Sequence, residues 1–344
     1  WSIAKLDRHN NGGFSSGEQA QGDPYHTGAI ETCCTIAWLA LSVDMLKQSG
    51  DPVVADELEL STINSGLGMW SPSGRWSTYN TPMDGVRQAN FHEIVFQSRP
   101  GSPELNCCSV NAARGLGLVS QWALLADDAS GALMLNWYGA GKLAGRLKGG
   151  ALARFDVETD YPRSGRVVVK VGLDKPTTFP LALRIPQWST ATKLTVAGAV
   201  RADVKPASYH VIDREWKPGD TIELELDMSP RVWAGEKGAS GRSSLYVGPV
   251  LLTYDASLND NGPDDPEPID ARSVRVLPAT EAKGRFKPIV LAEAKAADGK
   301  TVKLCDFATA GADGSRYRTW LRVDHATPTP FSREHSFRTG PPAE

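Results

Sequence analysis

Apolar residues recur at intervals of three and four along parts of the first 126 residues, which is the period of a helix. The clearest run is 28–48, whose apolar positions are Ile30, Cys34, Ala37, Leu41 and Met45. Gly50 follows and predicts its end. We also predict helices over 53–66 and over 109–126, the last with Ser109 as its N-cap. Residues 67–106 have no regular period and predict a long irregular connection.

From about residue 130 the pattern changes to short segments in which apolar and polar residues alternate. The predicted strands are 133–138, 152–157, 166–171, 181–185, 193–196, 209–212 and 221–226, then 244–252, 273–277, 289–291, 301–306 and 319–323. Gly, Pro and Asp separate them, most densely in a predicted surface loop at 259–270. This spacing is typical of antiparallel β-sandwiches. We therefore predict an α+β multidomain chain with a helical region at 1–127 and two antiparallel β-sandwich domains at 128–236 and 237–344.

The 344 residues are enough for two or three domains with their own cores. The net charge of −3 provides no basic field for nucleic acid or an anionic membrane surface, so neither is an expected partner. No apolar run approaches the ~20 residues that cross a bilayer, so no membrane span is expected. The chain begins at Trp1 without an initiator Met, and we expect a fragment or a processed form. The compartment (periplasmic, secreted or cytoplasmic) and the oligomeric state stay open.

Four of the five cysteines occur as two adjacent pairs, Cys33-Cys34 and Cys107-Cys108. Adjacent cysteines reach disulfide geometry only with backbone strain, so metal binding or catalysis is the better interpretation. Glu31 precedes the first pair and completes a four-coordinate zinc set of Glu31, Cys33, Cys107 and Cys108. Cys34 is an alternative ligand. Cys305 stands alone in an alternating segment and is expected to be a buried small apolar residue.

The proposed ligands constrain the helix at 28–48. Glu31 and Cys33 are two residues apart and would point to nearly opposite sides of a regular helix. Both can bind one ion only if the helix proper begins at about Cys33. Zinc with three thiolates and one carboxylate has a formal charge of −2 and no open position, so zinc-bound hydroxide is not expected to be the nucleophile. Three interpretations remain: buried free thiols, a structural zinc, and a zinc-supported catalytic thiolate.

The motifs Gly17-Glu18, Glu31-Thr32-Cys33 and Asn106-Cys107-Cys108, followed by Asn111 and Arg114, resemble glycoside hydrolase family 127, the β-L-arabinofuranosidase family. The resemblance extends to the helix after the cysteine pair and to the two β regions in architecture. It implies that 1–127 is the C-terminal part of an (α/α)6-barrel catalytic domain.

The resemblance also implies a retaining glycosidase that releases β-L-arabinofuranose, or a related unusual sugar, from plant-type glycans. Cys107 would be the nucleophile, Glu18 the general acid and base, and zinc the cofactor. In addition, His92 would contact the carbohydrate or pack under the site. Aromatic side chains on long loops often stack on sugars, and Trp76, Tyr79 and His26 are further candidates for substrate binding.

Two other functions remain compatible with the sequence. One is a non-catalytic sugar-binding protein in which the cysteines hold a structural zinc or are simply buried. The other is an (α/α)-barrel lyase or hydrolase that works through carboxylate, Tyr and His groups, for which Tyr25, His26 and His92 are the available candidates. A covalent label on Cys107 would separate the first from the glycosidase, and loss of activity on changing His92 but not Cys107 would support the second.

Overall fold

The computed structural model describes residue 4 and residues 7–14, 23–25, 30–71, 74, 77–87, 107–278 and 287–328. This part of the chain is a mixed α and β structure with many strands and few helices. None of the described helices has the length and apolar character that crossing a membrane requires.

Three α-helices are described: α1 (Thr32–Ser49), α2 (Pro52–Ser61) and α3 (Cys107–Trp122). A π-helical turn, Thr62–Gly66, follows α2, and two 3-10 turns lie at Lys237–Ala239 and Ala256–Asn259. Helix α1 confirms the predicted helix at 28–48, but it begins at Thr32. Helix α2 and the π-helical turn together cover all of the second predicted segment, 53–66. Asp51 caps α2, since its side chain accepts a hydrogen bond from the Val53 amide at 3.0 Å.

The prediction for the third helix was wrong at both ends. Helix α3 begins at Cys107, so Ser109 lies in its first turn and is not an N-cap. The helix ends at Trp122, and Leu124–Asp127 forms a strand instead of a last helical turn. This strand pairs with Ala132–Leu135 in an antiparallel hairpin. Pairing with the neighbouring strand therefore outweighs the local helical period.

The strands are β1 (Ile30–Glu31), β2 (Asn80–Thr81), β3 (Gly85–Val86), β4 (Leu124–Asp127), β5 (Ala132–Leu135), β6 (Gly141–Arg146), β7 (Leu152–Thr159), β8 (Arg166–Gly172), β9 (Thr177–Ile185), β10 (Lys193–Val196), β11 (Ala199–Arg201), β12 (Ser208–Trp216), β13 (Thr221–Glu225), β14 (Arg231–Ala234), β15 (Ser243–Val247), β16 (Val250–Asp255), β17 (Ile269–Val276), β18 (Leu291–Ala296), β19 (Thr301–Asp306), β20 (Arg316–Arg318) and β21 (Val323–Asp324). The predicted single strand 244–252 is the hairpin β15–β16. Gly248 turns the chain there with a φ of 55°, and Pro249 follows it.

The chain folds into two compact units. The first comprises Trp1–Ala40, Leu60–Leu116 and Ser229–Glu344, and the second comprises Leu41–Glu59 and Gly117–Met228. The predicted division into three domains at 1–127, 128–236 and 237–344 stays a prediction, as do the barrel and the two sandwiches.

The first unit contains the two-stranded pair β1–β2 and a nine-stranded sheet. Seven strands of that sheet follow the order β14-β15-β16-β19-β18-β17-β21, and β20 pairs with both β16 and β3. Buried Asn64 joins the π-helical turn to this sheet. Its Nδ2 donates to the Pro249 carbonyl and its Oδ1 accepts from the Leu251 amide, both at 2.9 Å. Cys305 is buried in β19, which confirms the expectation for this cysteine.

The second unit contains a four-stranded sheet, β12-β9-β5-β4, and a six-stranded sheet, β11-β10-β13-β8-β7-β6. A fully buried charged cluster joins helix α2 to strand β9. Arg184 donates to Asp56 and, at 2.6 Å, to Glu59. Glu59 also accepts from the Tyr161 hydroxyl at 2.6 Å and from the Trp188 indole at 3.2 Å. These hydrogen bonds compensate for the free-energy cost of burying charged groups. That cost would be large if the groups were unpaired.

Candidate functional site

Three of the four proposed zinc ligands lie together. The sulfur atoms of Cys33, Cys107 and Cys108 all lie within 4.8 Å of one another. The Sγ atoms of Cys33 and Cys108 are 3.2 Å apart, and those of Cys107 and Cys108 are 4.0 Å apart. Cys108 is buried, Cys33 is half-buried and Cys107 is exposed. The cluster therefore has one exposed cysteine, Cys107, and two cysteines that lie further inside.

The first turns of two helices supply these sulfurs, Cys33 from α1 and the cysteine pair from α3. The two helices approach closely one to two turns further along. A Cβ atom placed on Gly115 would lie 2.3 Å from Cδ1 of Ile36, which is itself fully buried. Only a glycine at this position lets the helices come so near without displacing the isoleucine.

Asn111 connects the two helices through its side chain. Its Nδ2 donates to the Sγ atom of Cys33 at 3.4 Å and to the carbonyl oxygen of Cys107 at 3.1 Å. The sequence motif included Asn111, but no role was predicted for it. The sequence around Asn111 does not show which residue of another helix lies next to its side chain.

Glu31 lies just outside helix α1, in strand β1, and is buried. Its amide donates to the Phe14 carbonyl at 2.9 Å, and its own carbonyl accepts from the Thr35 hydroxyl at 3.0 Å. Because α1 begins at Thr32, the condition that Glu31 must lie outside the regular helix is met. The carboxylate is not part of the group whose ligand atoms lie within 4.8 Å of one another. Its role as fourth ligand stays a prediction.

The three thiols influence one another strongly. The hydrogen bond from Cys108 is the largest effect on Cys33 and lowers its pKa to about 6, with Cys107 and Asn111 acting in the same direction against burial. Burial and then the interaction with Cys33 raise the pKa of Cys107. The interaction with Cys33, followed by burial, raises the pKa of Cys108. One negative charge is thus favoured at Cys33, and a cation is what would favour charge on all three sulfurs.

The donor set fits a soft divalent metal ion. Tetrahedral zinc with Zn–S bonds of ~2.3 Å places its sulfur ligands about 3.8 Å apart. The separations of 3.2 and 4.0 Å lie on either side of that value. The Cys33, Cys107 and Cys108 cluster could therefore hold a metal ion.

The remaining candidates are less closely defined. Glu18, His26, Trp76 and His92 lie outside the described residues, so their proposed roles stay predictions. Tyr79 is 1% exposed, and its carbonyl accepts from the Thr32 amide at 3.0 Å. A role for its ring in substrate binding also stays a prediction.

Two residues of the alternative interpretations are packed among aromatic side chains. The ring of Tyr25 lies 5.6 Å from that of Trp233 and 5.7 Å from that of Trp320. Cys34 packs against the group formed by Ala4, Phe14 and Trp38. Cys34 is not among the three cysteines of the sulfur cluster.

The cysteine cluster lies within a region that matches a known family. Residues 9–121 match the model of the GH127 β-L-arabinofuranosidase catalytic domain, and residues 132–228 match that of the GH127 middle domain. Together the two models cover more than half of the chain. The chain belongs to glycoside hydrolase family 127.

Solved structures of family 127 share this fold. A GH127 β-L-arabinofuranosidase from Geobacillus stearothermophilus T6 matches with a TM-score of 0.76 and 19% identity, over 94% of this chain and 55% of its own. A GH127 β-arabinofuranosidase matches with a TM-score of 0.75 and 19% identity, over 95% and 56% of the two chains. A structure described as a glycoside hydrolase matches with a TM-score of 0.76 and 22% identity, over 93% and 60%.

The family 127 chain thus spans between half and two thirds of the length of these structures. No match was found among curated proteins.

Proposed function

We propose that this family 127 chain is part of a retaining glycoside hydrolase that releases β-L-arabinofuranose, or a related unusual sugar, from plant-type glycans. The observation that supports it most is the cluster of three cysteine sulfurs in the matched catalytic region, with one of the three cysteines exposed. The exposed cysteine is Cys107, which is the nucleophile of the proposal. A nucleophile must reach a substrate, whereas a purely structural ligand need not.

In the first step, the sulfur of Cys107 attacks the anomeric carbon of the sugar. The bond from that carbon to the leaving-group oxygen breaks, and Glu18 gives the oxygen a proton. The product is a thioglycosyl link between the sugar and Cys107. Retaining glycosidases generally use a carboxylate for this step, so a cysteine nucleophile needs an environment that keeps the sulfur ionised.

In the second step, Glu18 takes a proton from a water molecule, which attacks the anomeric carbon from the other side. The carbon–sulfur bond breaks and Cys107 regains its electron pair as a thiolate. Two displacements at the same carbon leave its configuration unchanged, which is why the mechanism is retaining.

The proposed cofactor is zinc, held by Glu31, Cys33, Cys107 and Cys108. When bound, zinc supplies the positive charge that keeps the sulfur of Cys107 ionised near neutral pH and makes it a better leaving group. Without such a cation, burial and the neighbouring Cys33 raise the pKa of Cys107 and work against its ionisation. The chemistry of the site therefore favours a role for a metal ion in the reaction.

The proposal is tested with the full-length protein, aryl β-L-arabinofuranosides and an arabinofuranoside inhibitor that is activated at its anomeric carbon. We expect hydrolysis with retained configuration, and mass spectrometry of the inhibited protein should find the sugar on Cys107. Aryl pyranosides serve as the comparison substrates. Binding of arabinose-containing glycans with neither turnover nor a label on Cys107 would instead support the non-catalytic sugar-binding protein.

A further inference from the structure

We propose that Asn111 is a positioning residue of the metal centre, which fixes the sulfur of Cys33 relative to the proposed nucleophile Cys107. This inference rests on the proposed function, because it assigns a role at the same site. It concerns a residue that supplies no ligand atom itself. The evidence is the pair of hydrogen bonds that a single amide group makes.

The two bonds are compatible with each other. An asparagine amide nitrogen carries two hydrogens, so Nδ2 can donate to the Cys33 sulfur and to the Cys107 carbonyl at once. Their lengths, 3.4 Å to sulfur and 3.1 Å to oxygen, are suitable for the two acceptors. Asn111 is half-buried and its bond to the Cys33 sulfur is partly buried, which limits the competition from water for that bond.

The two acceptors belong to different parts of the chain. Cys33 lies 78 residues before Asn111 in sequence, whereas Cys107 lies one helical turn before it. The amide thus joins the first turn of α1 to the first turn of α3. A shift of either helix start would lengthen one of the two bonds. The side chain consequently limits how far Cys33 can move away from the other two sulfurs.

A hydrogen bond to a metal-binding thiolate has a second effect. It withdraws electron density from the sulfur and stabilises its charged form. Changes to residues that hold metal ligands in this way weaken metal affinity or activity by about 10- to 100-fold. Asn111 can act on the sulfur of Cys33 in this manner, and it contacts Cys107 at the carbonyl oxygen.

The test replaces Asn111 with Leu, which has a similar size but no donor, and with Gln, which keeps the amide group on a longer chain. Val110→Ala is the matched control, because Val110 is exposed on the same helix turn. Affinities for Zn²⁺ are measured by competition with a chromophoric chelator. The thiolate-to-metal charge-transfer band is recorded after loading with Co²⁺. Circular dichroism checks that each variant is folded.

For Asn111→Leu we expect zinc affinity to fall by about 10- to 100-fold and the charge-transfer band to move to longer wavelength, because the sulfur lone pair loses its donor. Asn111→Gln should lose less zinc affinity than Asn111→Leu. Val110→Ala should match the parent in zinc affinity and in the position of the band. If the Leu variant does not fold, the zinc affinity and the charge-transfer band of the Gln variant are used for the test.

Two results would overturn the inference: parental affinity and spectrum in the Leu variant, or equal losses in the Leu and Gln variants with an unshifted band. If the parent protein itself binds neither Zn²⁺ nor Co²⁺, then the proposed metal centre fails, which is a different result from the failure of Asn111 alone.

Discussion

The sulfur atoms of Cys33 and Cys108 lie 3.2 Å apart, although 75 residues separate them in sequence. Cys108 is buried and Cys33 is half-buried, and Asn111 donates to the second sulfur from the other helix. Two thiols so close favour negative charge on one of them at a time, and the hydrogen bonds direct it to Cys33. This pair is the inner part of the cluster, and Cys107 is its solvent-facing part.

Cys107→Ser tests the nucleophile. We expect the variant to fold and its turnover to fall by about 10³-fold or more, because a serine hydroxyl is a far weaker nucleophile than a thiolate. Turnover of an aryl β-L-arabinofuranoside is the measurement. Cys34→Ser is the control, since Cys34 is outside the sulfur cluster, and its activity should stay close to that of the parent. Activity of Cys107→Ser within about tenfold of the parent would remove Cys107 as nucleophile.

Metal content tests the ligands. Elemental analysis should find one zinc per chain in the parent protein and in Cys34→Ser. The variants Cys33→Ser and Cys108→Ser should retain little zinc, because each loses a soft thiolate ligand. A strong chelator should remove the zinc together with the activity, and added Zn²⁺ should restore both. A parent protein without zinc, whose cluster thiols react freely with a thiol reagent, would favour the buried-cysteine interpretation.

Gly115→Ala tests the close approach of helices α1 and α3. The added methyl group would meet Ile36, so we expect a loss of about 1–3 kcal/mol in the free energy of unfolding. Gly117→Ala is the matched control on the same helix, because nothing lies within 4 Å of its added Cβ. It should leave stability unchanged or raise it by up to about 1 kcal/mol through helix propensity.

A second variant checks the cause of that loss. Ile36→Val removes the Cδ1 atom that the Gly115→Ala methyl group would meet. The double variant should therefore be more stable than the sum of the two single changes predicts, which a double-mutant cycle from urea unfolding measures. Simple additivity would show that the two side chains do not collide.

Arg184→Met tests the buried charged cluster of the second unit. Removing the arginine leaves Asp56 and Glu59 buried without their cation, and we expect a loss of about 3–5 kcal/mol in the free energy of unfolding. The control is Arg154→Met, since Arg154 pairs with Asp174 at 3.2 Å on an exposed surface. Its cost should not exceed about 1 kcal/mol. Equal costs for the two variants would contradict a special role for the buried cluster.

Asp56→Asn tests how this cluster responds to pH. Burial raises the pKa of Asp56 to about 7, although the charge of Arg184 acts in the opposite direction. Between about pH 4 and about pH 7 the folded protein therefore holds a proton that the unfolded chain has lost, so the Asp56 contribution to stability falls as pH rises through that window.

The measurement is urea unfolding across that pH range in the parent and in Asp56→Asn. The asparagine cannot titrate, so its unfolding free energy should decrease less between the two ends of the range. The same pH dependence in both proteins would assign the effect to other groups.

Part of the candidate site could be predicted from the sequence, because short motifs of neighbouring residues indicate it. Adjacent cysteines are a rare pattern with few structural explanations, and the prediction joined Cys33 to Cys107 and Cys108 before any fold was known. The start of α1 was also constrained in advance, by the requirement that Glu31 lie outside the regular helix. The likeness to family 127 was likewise carried by short motifs, and the family models confirm it.

Other features depend on distant partners and were not predicted. Asp56 and Glu59 looked like ordinary charged positions of a short helix, but their cation is 125 or more residues further along the chain. The strand Leu124–Asp127 has a helical sequence period and becomes a strand because Ala132–Leu135 is beside it. The contact of Asn111 with Cys33 likewise depends on the approach of two helices. A short window of sequence does not reveal any of these contacts, because the partners lie in distant parts of the chain or on another element.

The position of the cysteines at the beginnings of α1 and α3 has a consequence for folding. Thiolates from both helix starts would be tied to one ion, so losing the ion and separating the two helix ends become linked equilibria. Any change that frays the first turn of either helix then lowers the metal occupancy of the site. Binding of an ion, in turn, opposes the fraying. The concentration of free metal around the protein would thus set the fraction of molecules whose reaction centre is assembled.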